Sequence, residues 1–342
     1  MKYITMDVHT EATTVVIGND RGKVLRIKAL PTTMTHLREA VMDVRRPVTL
    51  VVEEGTLTGW LHRELSGLVD RFIACDPRYN RLVWQAEDKN DDNDPRRLLT
   101  LAVLDKLRPV YHTDSERYGL KELVLTYHRV TRDVARYRNR ISAKCRQHGL
   151  GKVAREVYQS SQRKALINRL PWKDSQRSLR YLLSTFDVLS QQRDRLQQVM
   201  KRRAARIEPV QRFIQIPGVG PIIAMTVFAI VDTPFRFPDT RKLWKYAGLS
   251  VRDRSSMGVT LSTGASYQGC RWLKCAAMQA VVGALYHGDN DFAYHYRSML
   301  KAGQSPHNAR RTVARKILAT IYGMWKSGEP YHPAHVSASR NL

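Results

Sequence analysis

Tyr3-Ile4-Thr5-Met6-Asp7 is the stretch on which the fold turns: a short, apolar-leaning run that closes on a carboxylate. Two later segments repeat the form. Thr49-Leu50-Val51-Val52 ends on Glu53-Glu54, and Phe72-Ile73-Ala74-Cys75 leads through a proline-containing loop to Lys89-Asn90-Asp91-Asp92-Asn93-Asp94. If the three runs are neighbouring strands of one sheet, their acids converge at one edge. Converging carboxylates suit a divalent metal site, because hard cations take oxygen ligands. Two magnesium ions roughly 3.5–4 Å apart need several acids at one point, with a scissile phosphate supplying further oxygens.

Outward from that stretch, residues 13–17 and 24–27 are β-branched segments separated by Asn19-Asp20-Arg21-Gly22, which predicts a three-stranded antiparallel meander. Met34, Leu37, Val41 and Val44 recur at helical spacing up to Pro47. Residues 48–52 are almost continuously apolar, as a strand buried on both faces should be. A helix over 60–68, a strand over 72–75 and a helix opening at Pro95 follow. Three hairpin strands and then helix–strand repeats are the order of an RNase H-like sheet, so residues 1–112 are expected to be an α/β domain.

From Arg117 the pattern becomes helical. Leu120, Leu123, Tyr127, Val130, Val134, Tyr137 and Ile141 form a heptad seam, and Leu179, Leu182, Phe186, Leu189, Leu196, Met200 and Ile207 form a second. The seams fit either a helical hairpin packed on itself or an intermolecular coiled coil. Arg and Lys crowding the flanks favour the second over residues 113–208. Residues 209–342 open on Ile216-Pro217-Gly218-Val219-Gly220 and an apolar helix, the form of a helix-hairpin-helix turn. There Gly218 and Gly220 would let backbone N–H groups approach a phosphate, unless the turn is an ordinary tight one. A short helix over 243–249 and apolar helices over 271–286 and 309–325 complete a mostly helical, all-α region. The Ser- and Gly-rich stretch 250–269 has no assignable period.

The 342 residues carry a formal charge of +26, with pI about 10.3. Such a surplus repels itself and makes most sense opposite a polyanion, which points to nucleic acid. No run of eighteen apolar residues and no signal-peptide core is present, so a cytoplasmic, nucleoid-associated protein is expected rather than a membrane one. Cys75, Cys145, Cys270 and Cys275 lack C-x-x-C spacing, which favours reduced structural thiols over a zinc site.

Each candidate has a plainer alternative. Asp7 can be a turn acid, and Glu53-Glu54 a strand leaving the core. Glu53 is preferred over Glu54 because it ends the apolar run. Asp91 and Asp94, three apart, share a helical face, although Asp94 before Pro95 is also a good N-cap. Asp92 reads as a bystander. Lys89 and Arg96 are candidates for phosphate contacts or solvated loop charges. Trp60, Trp84, Trp172, Trp244 and Trp272 suit base stacking or, more simply, a core.

Asp7 after a strand, Glu53 in Val-Val-Glu-Glu-Gly-Thr, and Lys89-Asn90-Asp91-x-x-Asp94 together resemble the DEDD tetrad of insertion-sequence transposases with a RuvC-like domain, a family that includes bridge-RNA-guided recombinases. The resemblance continues through residues 216–220, Tyr246-Ala-Gly-Leu249, Arg254-Ser-Ser-Met-Gly258 and Trp325-Lys-Ser-Gly-Glu-Pro330. Two departures are the adjacent glutamates and Met257 where the family's serine precedes glycine. Ser256 is preferred as the family's serine, with Ser255 in reserve and Ser262 and Ser266 weaker.

The resemblance implies a Mg2+-dependent DNA transposase or recombinase. Asp7, Glu53, Asp91 and Asp94 would hold metal, and Ser256 would attack the scissile phosphate to form a phosphoserine link to DNA. Arg252 and Arg254 beside the serines would contact nucleic acid. It also implies a noncoding guide RNA and a homo-oligomer, since recombination joins two duplexes. The competing readings are a RuvC-like nuclease that uses the acids and water, and a non-catalytic nucleic-acid-binding protein in which the acids are caps and turn residues.

Overall fold

The computed structural model describes residues 1–83, 93–113, 116–151, 158, 162–256, 259–265 and 269–333, with backbone alone for 81–83, 93 and 251–265. The chain forms two compact units, Met1–Glu116 and Arg117–Leu342.

In the first unit the N-terminal run becomes β1 (Lys2–Val8), which pairs antiparallel with β2 (Ala12–Asn19), itself antiparallel to β3 (Val24–Pro31). After α1 (Met34–Met42) the chain crosses over to β4 (Val48–Glu53), which lies parallel to β1 on its other side. Then α2 (Thr58–Leu65) leads to β5 (Arg71–Cys75), parallel to β4. Following α3 (Pro77–Val83) and α4 (Asn93–Val103), the short β6 (Pro109–Val110) closes the sheet antiparallel to β5. The strand order is β3-β2-β1-β4-β5-β6, a mixed six-stranded sheet compatible with an RNase H-like fold.

The strand period of two divides the side chains between two apolar layers. Ile4, Met6, Val15, Ile17, Leu50, Val52 and Ala74 face Leu37 and Val41 of α1 and Leu61 and Leu65 of α2. On the opposite face Val51, Ile73 and Cys75 lie under Leu98 and Ala102 of α4. Residues 48–52 are buried throughout because both faces of β4 are covered. The buried Thr5 hydroxyl finds its acceptor in the Pro95 carbonyl at 2.6 Å, which pins the start of α4 onto β1. Helix α4 opens at Asn93, so Asp94 lies inside the first turn and not ahead of it.

In the second unit α5 (Arg117–Gln147) and α7 (Lys173–Ala204) pack against each other within one chain. Val134, Ile141 and Cys145 meet Leu179, Leu183 and Phe186, and α6 (Arg163–Asn168) closes this end with Leu166 and Ile167. Arg163 forms a two-point contact with Asp187, Nη2 donating to Oδ1 at 2.6 Å, and fastens α6 to α7. Of the two arrangements that the seams fit, the hairpin packed on itself is formed within the chain.

At the opposite ends Leu120, Val124, Met200 and Ala204 join the larger core around α9 (Pro221–Val231). Every residue from Ala224 to Val231 is buried, as a helix apolar all round requires. Helix α9 packs against α5, α7, α8 (Glu208–Ile214) and α11 (Arg271–His287). The rest of the unit is α10 (Thr240–Tyr246), the antiparallel hairpin β7 (Val251–Ser256) and β8 (Val259–Ala265), α12 (Asp291–Lys301) and α13 (Pro306–Ser327).

The turn between α8 and α9 carries one steric demand. Gly218 has φ +84°, and a Cβ there would stand 2.2 Å from the Ala280 carbonyl oxygen and 2.3 Å from the Ala284 nitrogen of α11. Its bare Cα is needed for close backbone packing. Gly220, with φ −81°, has nothing within 4 Å of an added Cβ. Gly218→Ala is therefore expected to cost at least about 2 kcal/mol in urea unfolding, and Gly220→Ala less than about 0.5 kcal/mol.

Candidate functional site

The parallel pairing of β1 with β4 aligns Met6 with Val52, so the next residues, Asp7 and Glu53, stand side by side where the two central strands end. By alternation Asp7 shares the face of Thr5, and Glu53 the face of Val51, which is the α4 side of the sheet. Both acids leave the buried layer together, on neighbouring strands and on one face. Asp7 is mostly covered, and its Oδ2 lies 3.1 Å from His9 Nε2.

Glu53 is held from below. Asn80, buried on α3, donates from Nδ2 to Glu53 Oε1 at 2.9 Å and to Cys75 Sγ at 3.3 Å. The opposite amide orientation would turn a carbonyl oxygen toward the carboxylate, so the charge of Glu53 fixes which end of Asn80 faces it. Asn80 Oδ1 is then buried with no hydrogen-bond partner among the described residues. The Cys75 thiol donates to the Val52 carbonyl at 3.4 Å. Burial pushes that thiol up to about 11, with the negative charges of Glu53, Asp76 and Glu54 adding and the Asn80 hydrogen bond opposing.

Glu54 has a different environment. Its Oε2 lies 2.6 Å from Nε2 of His112, whose ring is largely buried and stands 5.5 Å from the His62 ring. Asp94 is exposed in the first turn of α4 and paired with Arg97 at 3.3 Å. Arg96 is exposed on the same helix. Lys89 and Asp91 lie outside the described residues, as do Asp92 and Trp84. Among the described residues no three His, Cys, Asp or Glu side chains gather closely enough to hold a metal by themselves. What is present fits a hard cation in kind: two carboxylates on adjacent strands and one face of the sheet.

In the second unit Ser255 and Ser256 end β7, opposite Thr260 and Val259 of β8. The register shifts between Arg254 and Ser255, an irregularity of the kind that re-aims a strand. Arg252 lies earlier in the same strand, Ser262 is opposite Arg254, and Ser266 lies outside the described residues. Gly218 is occupied by packing on α11, whereas Gly220 stands in open space at the start of α9. Trp60, Trp244 and Trp272 pack against the apolar cores, and Trp172 is exposed.

Asn80 and His112 went unnoticed in the sequence. The one local cue was Asp76-Pro77, which opens α3: Asp76 Oδ1 accepts the Arg78 N–H at 3.0 Å and starts the helix that carries Asn80.

Residues 210–297, which run from α8 into α12 and include the Gly218 turn and the β7–β8 hairpin, match the model of the Transposase IS116/IS110/IS902 family. That match supports an insertion-sequence transposase, a class of protein that binds DNA. No curated protein matches the chain. No helix among the described residues is long and apolar enough to cross a membrane.

Two consequences of the Glu53 support are measurable. Asn80→Ala removes the donor for both Glu53 and Cys75 and is expected to cost about 1–3 kcal/mol in urea unfolding. A thiol reagent near pH 8 should label the exposed Cys275 in the folded protein and reach the buried Cys75 only when denaturant is added, as read by peptide mass mapping.

Proposed function

We propose that the chain is an insertion-sequence transposase that transfers DNA strands through a serine–DNA covalent intermediate. Asp7, Glu53, Asp91 and Asp94 are the carboxylates of a Mg2+ site, and Ser256 is the nucleophile. The observation that carries this reading is the side-by-side exit of Asp7 and Glu53 from β1 and β4 on the α4 face, in a chain whose residues 210–297 match a transposase family. Glu53 is favoured over Glu54 because Glu54 is engaged by His112, while Glu53 shares the face of Asp7 and is oriented by Asn80.

A divalent cation held by these carboxylates would polarise the scissile phosphate as a Lewis acid and offset its charge. The protein's own part is to fix the acids on rigid strand ends, to orient Glu53 through Asn80, and to supply the hydroxyl. In the first step the Ser256 Oγ–P bond forms as the bond from phosphorus to the leaving sugar oxygen breaks. The serine proton is lost and the leaving oxygen gains one. The bond count is unchanged, so phosphodiester energy is conserved and no nucleotide cofactor is needed. A sugar hydroxyl from the second duplex then reverses the exchange. Joining two duplexes requires at least two protomers, so the working form is a homo-oligomer. A formal charge of +26 suits simultaneous contact with DNA and with a noncoding guide RNA that specifies the target.

Trapping with a labelled element end tests this. A protein–DNA adduct that survives denaturation should form with the wild-type chain and with Ser255→Ala. It should fall at least about a thousandfold with Ser256→Ala, and disappear with Asp7→Asn and Glu53→Gln. Cleavage that persists in both serine variants contradicts covalent chemistry and favours a water-using nuclease. Adduct formation that is indifferent to Asp7→Asn contradicts the carboxylate site.

A further inference from the structure

Helix α13 sets Arg311 and Arg315 one turn apart on one face. Neither is a loose surface charge. Arg315 Nη2 donates to Thr312 Oγ1 at 2.9 Å, and its guanidinium carbon lies 5.8 Å from the Trp244 ring centre. Trp244 Nε1 in turn donates to the Arg315 backbone carbonyl at 3.0 Å, so α10 braces the turn that carries the arginine. Arg311 has a buried Nη2 with no hydrogen-bond partner among the described residues.

No carboxylate pairs with either guanidinium among the described residues. Burial, and after it the charge of Arg311, depress Arg315 below its ordinary value. Two like charges are thus held together, partly buried, with one N–H unsatisfied. Each of these features is unfavourable in the free protein. A ligand with several anionic oxygens, meeting the parts of these half-buried side chains that remain accessible, would offset the paired positive charge, because a guanidinium fork matches a phosphate and a pair of forks can grip it from two sides. Helix α10, packed on α13, adds the exposed Arg241, Lys242 and Lys245.

We propose that Arg311 and Arg315 are a preformed clamp for one phosphate of a nucleic-acid backbone. The contact is sequence-independent and positions the strand on the second unit. The proposal rests on the reading of the chain as a DNA-handling transposase and adds a binding site to it. The Thr312 hydrogen bond and the Trp244 ring hold Arg315 in place before the ligand arrives, so little ordering remains to be done on binding.

The test uses the full chain and labelled duplexes of unrelated sequence, with binding followed by fluorescence anisotropy over a range of salt. Arg311→Gln and Arg315→Gln should each weaken all the duplexes alike and lower the slope of log K against log salt by about 1. Arg310→Gln, an exposed neighbour carrying the same charge, should change the slope less. The thermal midpoint of the free protein should hold or rise in Arg311→Gln, since a repulsive neighbour is removed. A duplex site also predicts that millimolar inorganic phosphate competes weakly, whereas strong competition would assign the clamp to a free phosphate ligand and overturn the backbone proposal. Wild-type binding with unchanged slopes in both variants, or a lowered midpoint in Arg311→Gln, would overturn it too. Absence of any nucleic-acid binding by the wild-type chain would instead contradict the transposase reading underneath.

Discussion

The parallel register of β1 against β4 is the constraint on which the first unit depends. Strand β1 is paired on both edges, antiparallel to β2 and parallel to β4, and its apolar side chains Ile4 and Met6 are fully buried. A slip of one residue would carry Asp7 into that apolar layer and turn Met6 toward α4. The free energy that fixes the register is therefore the same free energy that aligns Asp7 with Glu53. Stability of the sheet and geometry of the acids are one requirement.

Around that register the unit adds support specific to one acid. Thr5 ties the start of α4 to β1, and Asn80 holds one oxygen of Glu53 against Cys75. Glu54, one residue further, is given to His112. In the second unit the corresponding constraint is α9, whose buried length organises α5, α7, α8 and α11 around it. The close backbone approach of Gly218 to α11 fixes where α9 begins. Beyond it, α10 leads directly into the hairpin that carries the candidate serines.

Much of this was legible in the sequence, for identifiable reasons. Short apolar or β-branched runs mark β1 to β5, and the run at β4 is continuously apolar because both its faces are covered. Helix α9 stands out as apolar all round. Periodicity reports a stripe and not its partner, so the α5 and α7 seams fitted both a hairpin and an assembly between chains, and the packing of the two helices on each other within the chain had to come from the structure. Helix α12 was missed, yet Asn290 is a good cap, accepting the Ala293 N–H at 3.1 Å, and Phe292 and Met299 lie seven apart on one face. The β7–β8 hairpin is mostly polar, and its one alternating stretch, Val259-Thr260-Leu261-Ser262, is too short to reveal it. At the candidate site, adjacency left Glu53 and Glu54 hard to separate. Their environments are set by Asn80 and His112, which are 27 and 58 residues away in sequence. Such pairings exist only once the sheet has formed.

The central claim is that the ends of β1 and β4 present a site for a hard divalent cation. Calorimetric titration of Mn2+ into the full chain measures this without DNA or turnover. The account predicts saturable binding to the wild-type protein that is lost in Asp7→Asn and in Glu53→Gln and retained in Glu54→Gln, with all four proteins showing the same folded circular-dichroism spectrum. Binding that is equal in the wild type and the Asp7 and Glu53 variants, or that is lost only with Glu54, would contradict it.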